Sequence, residues 1–257
     1  MAQQILSDIQ NYLKQQKDLF GDSFIIGGGQ LTDEIPDGEM GRKKKIEVIE
    51  TVNESPVSGA VIEEWQSSSD ILTLKEQISG CVKCPLGETR TNFVFGVGNP
   101  DADIMFIGEA PGADEDKQGE PFVGRAGQLL NKILQAIEWK REDVFIANIL
   151  KCRPPNNRDP LPKEVELCEP YLLKQIDLIK PVMMICLGRI AAHTLLRTKD
   201  SLTVMRSKIH SYHGVPLYVT FHPSALLHNP NWKPAAWEDF KKIRSDYESN
   251  PNKKNRK

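Results

Sequence analysis

Four of the five cysteines in this 257-residue chain are spaced as the ligands of a metal centre would be. Cys81 and Cys84 form a Cys-x2-Cys knuckle, and Cys152 and Cys168 follow after a long gap. Four thiolates can hold a [4Fe–4S] cluster or a zinc ion, and the spacing does not choose between them. The plainer alternative is two reduced core cysteines beside an unrelated knuckle. Cys186 lies in an apolar run and is expected in the core.

A segment rich in glycine and proline holds two further candidates, Glu109 and Phe122. It begins with GEAPGADED (108–116) and continues with GEPFVG (119–124). Glycine and proline set tight turns that bring backbone N–H groups close to a ligand, and the Phe122 ring can offer its face to a base. The alternative is an ordinary loop between a strand and a helix, with Phe122 in the core.

Asn148 and His222 carry side chains suited to reading a small planar ligand. The Asn148 amide presents a donor and an acceptor side by side, which matches N3–H and O4 of uracil, whereas cytosine has an amine donor in place of O4. His222 precedes a proline and can donate a hydrogen bond to an oxygen that gains negative charge. The plainer readings are a buried amide satisfied by backbone and a structural histidine. Arg153 and Arg158 suit phosphate contacts or a solvated loop.

Four apolar runs predict the strands that position these residues, at 104–107, 144–149, 182–187 and 217–221. Helical patterns lie between or after them, at 127–137, 163–179, 189–196 and 235–247. This alternation predicts an α/β fold, a parallel sheet covered by helices on both faces. Ligands bind beyond the carboxyl ends of the strands in such sheets. Glu109, Asn148 and His222 each stand at the end of one of these runs, so we expect them to meet there.

Residues 1–70 are predicted to form an extension outside this fold. Residues 1–20 have apolar side chains at near-helical spacing, which favours a short amphipathic helix. Residues 21–70 are rich in glycine, proline and serine and favour a flexible linker, with a partner-docking peptide as the alternative. The folded domain is then 71–250, followed by a basic tail over 251–257.

The composition fits a globular protein with an unevenly distributed charge. The net charge is −7 over residues 1–70 and +5 over 71–257, and a mildly basic body can bind a polyanion. The sequence has neither an apolar stretch of the roughly 18 residues that a membrane span needs nor a recognisable secretory signal. An odd number of cysteines argues against a disulfide framework. We therefore expect a cytoplasmic protein.

The motifs together resemble the type-4, iron–sulfur uracil-DNA glycosylases over about residues 72–248. The resemblance is carried by the Cys81/Cys84 knuckle, GEAPGADED (108–116), GEPFVGRAGQLL (119–130), NILKCRPPNNR (148–158), Cys168 with PYLLKQI (170–176), LGRIA (187–191) and HPSALLHNP (222–230). It implies a three-layer sandwich around a central four-stranded parallel sheet. It also implies one structural [4Fe–4S] cluster on Cys81, Cys84, Cys152 and Cys168.

The resemblance also assigns the site residues. It gives catalytic roles to Glu109, Glu115 and His222. It places in contact with the substrate Gly108, Ala110, Gly112, Phe122, Asn148, Asn157, Ser224 and Leu226. Phe122 is expected to stack on a flipped uracil, Asn148 to read its Watson–Crick edge and His222 to bind its O2. Related glycosylases carry a water-activating Asp where this chain has Ala110, so the group that activates the water stays unassigned. Leu226 is expected on a protruding loop that wedges into the base stack.

The implied activity is excision of uracil from single- or double-stranded DNA by a monomeric, monofunctional enzyme that leaves an abasic site in base excision repair. Three alternatives stay open. The first is a DNA-binding iron–sulfur protein without catalytic activity, and the second is an iron–sulfur redox protein. The third is a relative that traps uracil-DNA covalently through a histidine in a basic insert, which the segment 205–210 partly matches.

Overall fold

The computed structural model describes residues 63–254, which are built around one mixed sheet. The strands are β1 (Val97–Gly98), β2 (Ile104–Gly108), β3 (Phe145–Asn148), β4 (Met183–Leu187), β5 (His210–Tyr212) and β6 (Val215–Thr220). Their order across the sheet is β1-β3-β2-β4-β6-β5. The central four strands run parallel, and β1 and β5 pair antiparallel at the two edges. The predicted four-stranded parallel core is confirmed, and two short edge strands are added to it.

Nine α-helices within residues 63–254 surround the sheet. They are α1 (Ile71–Ile78), α2 (Leu86–Thr89), α3 (Ala113–Gln118), α4 (Arg125–Ala136), α5 (Pro162–Ile179), α6 (Arg189–Leu196), α7 (Leu202–Arg206), α8 (Pro223–His228) and α9 (Lys233–Glu248). Short 3-10 turns lie at Glu64–Ser67, Arg141–Asp143, Pro155–Asn157 and Pro230–Trp232. The four predicted helices correspond to α4, α5, α6 and α9. No helix in this part of the chain is both long and apolar enough to cross a membrane.

The sheet is the middle layer of a sandwich, because successive strand residues face opposite sides. In β2, Met105 and Ile107 pack in a cluster with α1, α5 and α6. Ile104 and Phe106, the alternate residues, pack in a second cluster with α4, α8 and α9. Every residue of β2, β3 and β4 is buried, as expected for parallel strands covered on both faces.

The folded body extends beyond both predicted boundaries. Trp65 is buried and its ring centroid lies 4.8 Å from that of Tyr171, so folded structure begins before residue 71. At the other end, Lys254 Nζ donates to the carbonyl of Ile179 at 2.7 Å. The composition of residues 21–70 predicts a linker, but the buried indole of Trp65 anchors the end of this segment to the folded body. Folded structure therefore begins earlier than predicted. The predicted helix within 1–20, most of the linker and residues 255–257 lie outside the described residues.

The parallel register brings four strand ends to one edge of the sheet. Gly108 of β2 lies opposite Asn148 of β3, and Leu187 of β4 lies opposite Thr220 of β6. The residues that follow these positions therefore converge, although they are far apart in sequence.

Candidate active site

A cavity of about 360 Å³ opens at this edge of the sheet. It is lined by Glu109, Ala110, Pro111, Gly112, Glu115, Phe122, Ala126, Asn148, Pro154, Asn157, Arg158, Leu187, Gly188, Arg189, Ile190, His222 and Ser224. Nine of the eleven predicted catalytic and substrate-binding residues are among them. The two that are not are Gly108 and Leu226.

Asn148 is buried to 2 % exposure at the end of β3, and its Oδ1 accepts no hydrogen bond within the described residues. An unpaired buried acceptor costs on the order of 1–3 kcal/mol, so such an atom at the wall of a cavity indicates a ligand that completes it. A Cβ on Gly108 would lie 2.3 Å from this oxygen and 2.8 Å from the Phe122 ring. Gly108 therefore stands behind the lining, where only glycine leaves room for the amide and the ring.

Phe122 adopts a left-handed backbone conformation, with φ of 54°. Such a conformation costs a bulky residue on the order of 1–3 kcal/mol and is found mainly where surrounding structure imposes it. A Cβ on Gly127 would lie 1.8 Å from the Phe122 carbonyl oxygen, so the first turn of α4 packs directly on this loop. The ring is 5 % exposed, belongs to the core on one side and lines the cavity on the other.

His222 has a defined hydrogen-bonding state. The backbone N–H of Ser224 donates to Nδ1 at 3.2 Å, and because this group can only donate, Nδ1 is an acceptor. A neutral ring then carries its proton on Nε2. Burial lowers the pKa of His222 to about 4, so the ring is neutral at pH 7. Its centroid lies 5.5 Å from that of Phe122. The site therefore holds a neutral imidazole with one N–H to donate.

The position of His222 depends on the loop after β4. Gly188 has φ of 96°, which L side chains rarely adopt. A Cβ there would lie 2.8 Å from the Cβ of His222. The glycine of the Gly-Arg pair after β4 thus lets the chain pass close to the imidazole.

Glu109 carries a strongly perturbed carboxyl group at the end of β2. Burial and, to a smaller extent, the negative charge of Asp159 raise its pKa to about 7, against the opposing effect of the positive charge of Arg189. A carboxyl that titrates near neutral pH inside a cavity is a candidate for catalysis.

Glu115 is held by backbone groups rather than directed at the cavity centre. Its Oε1 accepts from the N–H groups of Val123 and Gly124 at 3.0 and 3.1 Å, and its Oε2 accepts from Gly112 at 3.1 Å. One carboxylate thus joins the turn after β2 to the Phe122 loop. These contacts favour a positioning role over the catalytic role predicted for Glu115.

Leu226 requires a correction. It lies on α8, is 1 % exposed and packs in the core with α4 and α9. The chain after His222 forms a helix rather than a protruding loop, because His222 itself caps it and Pro223 occupies its first turn. Leu226 is therefore unavailable as a wedge. Leu227 is half-buried against the same core.

The arginines of the loop after β3 are engaged within the protein. Arg158 forms a two-pronged ion pair with Glu164, at 2.9 and 2.6 Å. Arg153 donates to Asn157 Oδ1 at 2.8 Å. These contacts shape the loop wall of the cavity and weaken the expectation that both arginines bind phosphate. Arg189, exposed at the start of α6, lines the cavity as well.

A buried lysine beside the site had not been predicted from the sequence. Lys151 is fully buried, and its Nζ donates to the carbonyl of Asn148 at 2.8 Å and to Gln175 Oε1 at 2.6 Å. Gln175 in turn donates to the carbonyl of Phe95 at 2.9 Å. Burial lowers the pKa of Lys151 to about 8. The pattern carried no signal for this role, because a lysine between loop residues ordinarily points to solvent.

Hydrogen-bond donors surround three of the predicted metal-binding cysteines. The Lys151 backbone N–H donates to the Sγ of Cys168 at 3.3 Å, and the Tyr171 hydroxyl donates to that of Cys81 at the same distance. Arg90 donates to Cys152 at 3.4 Å. Within residues 63–254, however, no group of three or more His, Cys, Asp or Glu side chains is arranged to hold a metal ion. The metal centre stays a prediction. Cys186 is fully buried in β4, as expected.

Comparisons with known proteins agree with this geometry. The sequence model of the Uracil DNA glycosylase superfamily matches residues 95–241. The chain is 46 % identical over 186 residues to the type-4 uracil-DNA glycosylase of Archaeoglobus fulgidus, a match that covers 69 % of this chain and 92 % of that protein. It is 44 % identical over 176 residues to the type-4 enzyme of Thermotoga maritima, covering 67 % and 92 %. A type-5 uracil-DNA glycosylase of Thermus thermophilus is 33 % identical over 142 residues, covering 49 % and 64 %.

Proposed function

The chain belongs to the uracil DNA glycosylase superfamily, and from this membership we propose that it excises uracil from DNA by hydrolysing the bond between the base and deoxyribose. The observation that carries the proposal is the buried, unpartnered amide oxygen of Asn148 in a cavity that Phe122 and His222 also line. The product is an abasic site, which places the enzyme at the start of base excision repair.

Base selection follows from the Asn148 amide. Its Oδ1 accepts from N3–H of uracil while its amide N–H donates to O4, so both groups are paired only when this base is bound. Cytosine would place its amine donor opposite the amide N–H and its N3 acceptor opposite Oδ1, so neither group of Asn148 would be paired. The target base must leave the duplex or strand to reach the cavity, at a cost of roughly a few kcal/mol for unstacking and unpairing. The Phe122 ring replaces part of the lost stacking.

Cleavage of the bond requires stabilisation of the charge that develops. As the bond lengthens, the sugar becomes oxocarbenium-like and the departing uracil becomes an anion. The neutral His222 donates Nε2–H to O2 of that anion, and one preorganised donor of this kind contributes about 3–4 kcal/mol. The Glu109 carboxylate stabilises the positive sugar while water attacks C1′. No lysine lines the cavity within the described residues, which supports a monofunctional enzyme without strand cleavage.

The rate of uracil release should depend on the ionisation of Glu109. Because the pKa of this group is about 7 and the carboxylate is the active form, we expect the single-turnover rate to rise about tenfold from pH 6 to a plateau near pH 8. Glu109→Gln should lower the plateau and remove this slope. The exposed Glu238→Gln on α9 is the control and should keep the wild-type profile.

The raised pKa of Glu109 also predicts how the stability of the fold changes with pH. The pKa of Glu109 in the fold lies above its ordinary value of 4.5, so its contribution to stability is lost as pH rises through about 7. Glu109→Gln should therefore raise the unfolding temperature at pH 8 and change it less at pH 5. A flat rate profile together with an unchanged unfolding temperature would contradict the role given to Glu109.

For the cysteines we propose a structural [4Fe–4S] cluster held by Cys81, Cys84, Cys152 and Cys168. The donors around the sulfur atoms support bound thiolates, and such contacts are typical of cluster sites. The choice of a cluster rather than a zinc ion rests on the similarity to the type-4 enzymes. The group would join α5 to the loops after α1 and β3.

Metal analysis separates the two centres. The purified protein should be brown and contain about four iron atoms per chain. Cys152→Ser should lose iron and unfold at a lower temperature, whereas Cys186→Ala, the control in β4, should keep its iron. A colourless protein with about one zinc per chain would exclude the cluster.

The deciding experiment is release of uracil from an oligonucleotide, followed by alkali to cleave the abasic site. We expect the strand to be cleaved only after alkali treatment. We also expect each enzyme molecule to release uracil from many oligonucleotides. Binding without release would favour the non-catalytic alternative, and a permanent protein–DNA adduct would favour covalent trapping. Covalent trapping through a histidine of the segment 205–210 has little support. His210 forms a hydrogen bond with the carbonyl of Met205 at 2.8 Å and lies in β5 rather than in the cavity lining.

We also propose a reducing compartment, the cytoplasm, because none of the five cysteines forms a disulfide within the described residues. The partner is uracil-containing DNA, single- or double-stranded. We propose that the enzyme acts as a monomer.

A further inference from the structure

Trp232 is the exposed aromatic side chain nearest in sequence to the His222 wall of the cavity. It is 44 % exposed, and of the exposed large apolar residues in 63–254 it alone is aromatic. Its ring stacks on that of Phe221, the residue before His222, at 5.5 Å and 28°. Resting on the proposed function, we propose that the outer face of Trp232 stacks on a DNA base beside the flipped nucleotide.

The Phe221 ring on which the indole stacks is held by a partly buried network. The Arg206 guanidinium lies 4.1 Å from the centroid of the Phe221 ring, on which Trp232 stacks. Arg206 is fixed by two hydrogen bonds to Asp239, at 2.7 and 2.9 Å, and Thr220 donates to the same carboxylate at 2.6 Å. Binding therefore loses little conformational freedom at Trp232, which favours its use as a stacking platform.

Basic residues accompany the indole. Lys233 follows it directly, and burial, together with the charge of Lys132 on α4, lowers the pKa of Lys233. A basic surface with an exposed aromatic ring is the pattern by which proteins bind single-stranded nucleic acid.

The cavity itself requires such a contact. A flipped nucleotide enters it still attached to its strand, so the neighbouring nucleotides must cross the rim. Along the segment after His222, Leu226 is buried and Leu227 is half-buried, whereas His228, Asn231 and Trp232 are exposed. In this exposed segment after His222, Trp232 is the residue that offers a large aromatic ring to a base.

Fluorescence of 2-aminopurine placed next to uracil tests the contact. With wild-type protein the probe should be quenched by stacking, and it should brighten in Trp232→Ala. The dissociation constant for uracil-containing single-stranded DNA should rise about tenfold in Trp232→Ala and return close to wild type in Trp232→Phe. Inhibition by free uracil, which does not reach the rim, should be unchanged. Leu72→Ala, on the exposed side of α1, is the control.

The outcomes separate this inference from the proposed function. A wild-type protein that releases no uracil overturns the function. Uracil release by both proteins, with equal quenching and equal affinity in Trp232→Ala, overturns the stacking contact alone. Weakened binding that Trp232→Phe does not restore, together with a lowered unfolding temperature in both variants, also overturns it, since the indole would then serve only the fold.

Discussion

Replacing Asn148 by aspartate is expected to lower the rate of uracil release by on the order of 1000-fold, the largest effect of any single substitution considered for this site. The substitution keeps the shape of the side chain but turns the donor that faces O4 into an acceptor. Two acceptors then oppose each other in a position that is 2 % exposed, where water cannot intervene. The preference for uracil over cytosine should shrink as well, because the carboxylate oxygen in place of the amide N–H is repelled by O4 of uracil but accepts from the amine of cytosine.

Rates on matched oligonucleotides that contain uracil or cytosine measure both effects. Asn156→Asp is the control, because it adds the same carboxylate to an exposed turn that does not line the cavity. Unchanged release of uracil with intact selectivity in Asn148→Asp would show that the amide does not read the base.

Replacing His222 by alanine is expected to lower the single-turnover rate by on the order of 100- to 1000-fold with little change in affinity for DNA. The lost group is the Nε2–H donor, which matters most when uracil leaves as an anion. Because the pKa of His222 is about 4, its neutral form is already complete at pH 6 and the defect should be the same from pH 6 to 9.

His222→Gln keeps an N–H donor on a shorter, flexible side chain and should recover part of the rate. His213→Ala, at an exposed histidine between β5 and β6 that does not line the cavity, should behave as wild type. Equal losses of rate and DNA affinity in His222→Ala, with a lower unfolding temperature, would instead assign the residue to the fold, since His222 also caps α8.

The parallel core was predictable because its signal is local. Buried parallel strands are continuous apolar runs, and 104–107 and 182–187 contain β2 and β4 almost residue for residue. The edge strands β1 and β5 could not be predicted from the sequence, because segments of two and three partly exposed residues have no periodicity of their own. They become strands only because β3 and β6 offer them hydrogen bonds. The burial of Trp65 could not be predicted for the same reason, because it depends on contact with Tyr171, which is distant in the sequence.

The sequence predicted those site residues whose positions follow from the order of the strands. It did not predict those whose positions depend on how helices and loops pack together. Asn148 and His222 follow parallel strands, and parallel strands must end at one edge, so their convergence follows from order along the chain. The burial of Leu226 depends on how α8 meets α4 and α9, which the sequence does not encode locally. The role of Glu115 depends on three backbone N–H groups from two loops. No pattern of residue types foretells such a contact.

The two short border strands have a consequence for the behaviour of the protein at high concentration. A long, flat, unpaired border would offer a row of amide and carbonyl groups on which a second chain could polymerise. Here β1 is only two residues long and ends at Gly98, with φ of 128°, while β5 turns back at once through Gly214, with φ of 78°. Neither side presents a template longer than three residues. The borders of this sheet, within residues 63–254, should therefore not act as templates for fibril growth.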